Sequence, residues 1–71
     1  MEMITVESSA IAKIGYDPDT ATLIIEFVKG NSIYEYYDVP QYEFDNLMGA
    51  DSLGSYASKN IYKVYRQQKI S

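Results

Sequence analysis

The chain has 71 residues, ten acidic side chains against six basic ones, no Cys and no His, and a formal net charge of −4. A chain of this length makes one domain that buries only roughly 60% of its unfolded surface. The missing residue types exclude disulfides, thiolate or imidazole metal ligands and histidine acid–base chemistry. No apolar run approaches the ~20 residues that span a bilayer. The N-terminus also lacks a charged stretch followed by an apolar one. The expectation is therefore a cytoplasmic protein, residues 1–71 forming a single domain and the first Met marking the start of the gene product. No Asp/Glu pair has a spacing that forces it into one pocket, so the chain reads as non-enzymatic, with no cofactor.

In chain order, residues 1–6 alternate weakly through Met3, Ile4 and Val6 and read as a ragged lead-in. A strand is expected over residues 9–16, with Ala10, Ala12, Ile14 and Tyr16 on one side and Ile11 and Lys13 on the other. Asp17-Pro18-Asp19-Thr20 is a turn, because Pro presets φ and Asp side chains bond turn backbone. Residues 22–28 are the most β-prone run and the expected central strand, with Leu23, Ile25 and Phe27 on one face and Ile24, Glu26 and Val28 on the other. Lys29-Gly30-Asn31-Ser32 closes a hairpin, with Gly30 or Asn31 able to take a positive φ. The third strand, residues 33–39, puts Tyr34 and Tyr36 on one face, and Ile33, Glu35, Tyr37 and Val39 on the other.

After Val39 the period changes. Pro40 suits the first turn of a helix over 41–48, with Asp38 as cap and Phe44, Leu47 and Met48 on one side, stopped by Gly49. A second helix is expected over 53–65, capped by Asp51 or Ser52, with Ala57, Ile61, Val64 and Tyr65 on its apolar side. Lys59, Lys63 and Arg66 then recur at i, i+4, i+7 as one basic stripe. The tail, 67–71, frays or adds a short edge strand. The fold class is α+β: a three-stranded antiparallel meander with two short helices packed on one face. Its open edge invites a homodimer through the first strand or the tyrosine face.

Charge is unevenly placed. Residues 1–51 hold all ten acidic residues against Lys13 and Lys29, whereas residues 52–71 hold Lys59, Lys63, Arg66 and Lys69 and no acid. Three features are candidate sites. Tyr34 and Tyr36 stand among eight tyrosines, and such rings either fill a small core or stack on bases. Ser52, Gly54 and Ser55 open the second helix, where free N–H groups and the positive dipole end suit an anion or an ordinary cap. Lys59, Lys63 and Arg66 suit a phosphate backbone or simply neutralise the acidic half.

Ser8-Ser9, Gly15-Tyr16-Asp17, the run Leu23 to Phe27 before Gly30, Tyr34-x-Tyr36, Val39-Pro40, Ala50-x-Ser52-x-Gly54-x-Tyr56 and Ile61 before Tyr65 together resemble the KTSC domain. That domain is named after the C-terminus of some lysyl-tRNA synthetases and also stands alone in small bacterial and phage proteins. The resemblance covers nearly the whole chain and departs at Ala57-Ser58, where the family carries an aromatic residue and an asparagine. It implies a fold, and through the synthetase context it implies RNA binding. Two functional readings follow. The first is an interaction module for a protein partner, such as a phage-type inhibitor of a host protein. The second is an RNA- or nucleotide-binding module using the basic second helix and exposed tyrosines.

Overall fold

The turns fix the sheet. In the computed structural model, which describes residues 2–71, Asp17 Oδ1 accepts the Asp19 N–H at 3.0 Å, and Ala21 completes the reversal at φ 53°. Gly30 and Asn31 both adopt positive φ, 74° and 51°, in a short 3₁₀ turn spanning Lys29–Asn31. Between these reversals run β2 (Ile11–Asp17), β3 (Thr22–Phe27) and β4 (Ile33–Tyr36). They form the antiparallel meander that the residue pattern predicts.

The sheet has five strands, not three, in the order β1-β2-β3-β4-β5. β1 (Met3–Thr5) pairs with β2, so part of the lead-in is a strand; Met1 lies outside the described residues. β5 (Gln67–Lys69) returns after the helices to pair with β4. β5 is the short edge strand that the tail allowed, whereas β1, three residues long and mostly exposed, is not revealed by its weak side-chain alternation. The strand at 9–16 is flanked on both sides and is no free edge; the outer strands are β1 and β5. Ile33 N–H donates to the carbonyl of Ser71 at 2.9 Å beyond the end of β5. Truncation after Arg66 is therefore expected to speed exchange of the Ile33 and Glu35 amides, which face β5, with slower ones persisting in β2 and β3; unchanged exchange at Ile33 would show that the β4–β5 ladder is not formed in solution.

β2 departs from simple alternation. Its register shifts between Ile11, opposite Phe27, and Lys13, opposite Glu26, so a bulge sits at Ala12. The extra residue turns Ile11 to the same side as Ile14, and both are fully buried. The face assignment of Ile11 from strict period two is corrected accordingly. Val39 is corrected in the same way: β4 ends at Tyr36, and Asp38 at φ 56° swings Val39 into the core.

The helices α1 (Gln41–Met48) and α2 (Leu53–Asn60) cover one face. Pro40 stands at the cap of α1 rather than inside it, and Asp38 makes no capping bond. Ser52 Oγ accepts the Ser55 N–H at 3.3 Å and caps α2 as expected. The core joins Ile11, Ile14, Leu23, Ile25 and Tyr36 of the sheet to Val39, Leu47, Ala57 and Ile61. α2 stops at Asn60, not at 65. Both the Ile61 and Tyr62 N–H groups converge on the Ala57 carbonyl at 2.9 Å, and a turn over 61–64 leads back toward β5. Val64, expected on the apolar side, is consequently 61% exposed.

Candidate functional site

Period two places Tyr34 and Tyr36 on the helix side of β4, and Phe27 reaches that side from β3. The turn that ends α2 adds Tyr62. These four rings form a closed circuit: Phe27 meets Tyr34 edge-on at 5.7 Å and Tyr62 at 5.6 Å, while Tyr36 stacks on Tyr34 at 6.4 Å and on Tyr62 at 6.2 Å between centroids. All four separations are ordinary ring–ring contact distances. The cluster walls an open groove of about 600 Å³, within the size range of sites for small ligands or single large side chains. Ser9, Lys29, Ser32 and Gln67 supply its polar rim.

Tyr36 is 2% exposed and is a core residue whose edge floors the groove. Among the described residues, no buried side-chain oxygen lacks a partner, and the hydroxyls of Tyr34, Tyr36 and Tyr62 bond to no protein atom. All three hydroxyls therefore touch accessible space. Burial raises the Tyr36 and Tyr62 hydroxyls above the ordinary value near 10, with the neighbouring Tyr62 and Tyr34 adding to the rise at Tyr36. They stay protonated and able to donate at neutral pH.

The other sequence candidates do not join this site. Ser52 is occupied as a helix cap, Ser55 is exposed, and a Cβ on Gly54 would lie 3.6 Å from the Ala10 Cβ, ordinary contact, so this helix start packs beside β2. The basic stripe loses its helical basis, because only Lys59 lies on α2; Lys63 is in the turn and Arg66 follows it. Arg66 instead pairs with Asp38 at 3.3 Å and lies 5.5 Å over the Tyr37 ring. Both partners of that pair are more than three-quarters exposed, so it adds little stability. Tyr62, Phe27 and Lys29 belong to the groove without having been singled out. Phe27 shares a face with Leu23 and Ile25 in the period-two pattern, but Tyr62 is placed by a turn that helical periodicity does not show.

A second polar cluster lies elsewhere. Glu43, 9% exposed on the first turn of α1, accepts hydroxyl hydrogen bonds from Tyr56 on α2 and from Tyr65, the latter at 2.9 Å. It ties both helices to the turn after α2. Among the described residues, no three Asp or Glu side chains gather to hold a metal ion.

Comparison with known proteins places this architecture. The KTSC domain model matches residues 7–65. The chain belongs to the KTSC domain family. A KTSC domain protein from Yersinia pestis has a crystal structure that superposes with a TM-score of 0.94 at 36% identity, covering 99% of this chain and 97% of that one. A Tsukamurella paurometabola protein is 45% identical over 64 residues, which is 90% of this chain and 94% of the relative. A lysine–tRNA ligase of Nostoc sp. is 40% identical over 65 residues, where this KTSC chain spans 92% of its own length but 11% of the ligase. The KTSC match ends at Tyr65, so the β5 strand that closes the groove beside Gln67 lies just beyond it.

Proposed function

We propose that this KTSC domain is a non-enzymatic binding module that recognises a protein partner by taking one of its side chains into the aromatic groove. One observation carries the reading: four mutually packed rings wall an open concavity in which three tyrosine hydroxyls lack protein partners. Tyrosine supplies apolar area with a polar tip at low entropic cost, and aromatic anchors dominate binding energy at interfaces. The occurrence of a like segment within lysine–tRNA ligases and as most of a small protein supports a portable module. A long polyanion is served less well. The stripe for its phosphates is not one helix face, Arg66 is paired, and the whole chain carries −4.

The test is capture from a bacterial lysate on immobilised wild type, Tyr62→Ala, Tyr62→Phe and the triple variant Lys59→Gln/Lys63→Gln/Arg66→Gln, with and without nuclease. A protein retained by wild type and the triple variant under nuclease, weakened by Tyr62→Phe and lost with Tyr62→Ala, is the expected pattern. Capture that disappears with nuclease or with the triple variant, and survives Tyr62→Ala, would transfer the function to RNA. Circular dichroism of each variant separates loss of binding from loss of fold.

A further inference from the structure

The chemistry of the groove narrows what can sit in it. No carboxylate lines it, although the chain holds ten. Its one formally charged lining residue is Lys29, and among the described residues no acidic side chain lies within ion-pair distance of that ammonium. Around an apolar wall stand three unpartnered tyrosine hydroxyls, the hydroxyls of Ser9 and Ser32, and the Gln67 amide. A four-ring cluster often suggests a cation held against ring faces. Here the rings pack on one another: the two stacked pairs are 27° and 25° from parallel, and the separations of 5.6–6.4 Å leave no room for a cation between them. The Lys29 ammonium opposes one further.

We propose that the group seated in this groove is the C-terminal residue of a partner chain, an aromatic side chain against the Phe27–Tyr62 wall with its carboxylate received by Lys29 and the tyrosine hydroxyls. This rests on the groove being the binding site. The C-terminal residue is the one place in a polypeptide where a ring and a carboxylate stand on the same residue. A volume of about 600 Å³ accommodates one such residue with its flanking backbone. The carboxylate gains charge-assisted hydrogen bonds from hydroxyls that have no competing partner within the protein. Burial, which raises the Tyr36 and Tyr62 hydroxyls, keeps them protonated as donors.

The probes are a short peptide ending in Phe with a free carboxylate, the same peptide as its C-terminal amide, and free 3-phenylpropionate, each titrated while the Tyr34 and Tyr62 ring resonances are followed. The acid peptide is expected to bind about 10-fold more tightly than the amide, the size of one charge-assisted hydrogen bond. Lys29→Gln should weaken it about 2- to 3-fold, as for an exposed ion pair, and leave the amide unchanged. Tyr62→Phe should remove most of the remaining preference. Equal binding of acid and amide at these rings would overturn the carboxylate assignment while leaving the groove a site. Binding of 3-phenylpropionate as tight as the peptide acid would overturn the partner C-terminus in favour of a small aromatic acid. No shift with any probe would overturn the proposal, and whether the groove binds a protein at all is then decided by the Tyr62→Ala capture result.

Discussion

Replacing Ile61 with Ala is expected to lower the melting temperature by at least about 10 °C. Ile61 is fully buried and lies just past the last residue of α2, where it holds the returning turn onto the core. Truncating a buried aliphatic side chain to Ala typically costs about 2–5 kcal/mol. That is a large share of the ~5–15 kcal/mol that holds small domains together, and each kcal/mol moves the transition of a 60–100-residue domain by about 4–8 °C. The neighbouring Tyr62 depends on the same turn, so groove binding should weaken in the variant even below its transition. Val64→Ala is the control. If residues 53–65 were one continuous helix with Val64 on its apolar side, that change would cost a comparable amount; at 61% exposure it should stay within about 0.5 kcal/mol. Thermal denaturation followed by circular dichroism reads both, and equal losses would refute the end of α2 at Asn60.

Glu43→Ala should destabilise by about 2–4 kcal/mol, because a nearly buried carboxylate accepts two hydroxyl bonds and hydrogen bonds to charged groups contribute about 1.5–3 kcal/mol each. Two half-buried hydroxyls then lose their acceptor. Glu43→Gln keeps the shape and one acceptor oxygen, so its loss should be clearly smaller. Alkali tests the same cluster. The bond to Glu43 and then burial raise the Tyr56 hydroxyl above its ordinary value of 10; burial first and then Glu43 push Tyr65 up to about 12. A hydroxyl with a raised folded-state value binds its proton more tightly in the native state than in the unfolded one. Its stabilisation is therefore complete below pH 10 and drains away as pH climbs toward 12. Wild type should lose stability across that window. In Glu43→Ala, tyrosinate absorbance should show Tyr56 and Tyr65 ionising at lower pH. Identical tyrosine titrations in the two proteins would show that the hydroxyls do not donate to Glu43 in solution.

The local pattern of the chain by itself determined the three central strands, both helix starts and the turns between them. These depend on neighbours in sequence: Pro18 and the Asp17 side chain bend the backbone at one reversal, Gly30 and Asn31 accept positive φ at the next, and Ser52 caps α2 through its own side chain. The pairing of Tyr34 with Tyr36 on one face follows from the pleat of a strand and held because β4 is regular.

Tertiary structure decided everything that requires one segment to meet another far along the chain. β1 and β5 carry little apolar pattern and exist because β2 and β4 offer free backbone groups to pair. The bulge at Ala12 adds a residue so that both Ile11 and Ile14 are buried, which strict alternation forbids. The end of α2 carries no Gly or Pro stop; the chain turns at Ile61 because Gln67 must come back opposite Tyr36 within a few residues. That turn breaks up the basic stripe and brings Tyr62 against Phe27 and Tyr36. The groove is therefore a product of long-range closure, and half of its aromatic wall could be read from β4 alone.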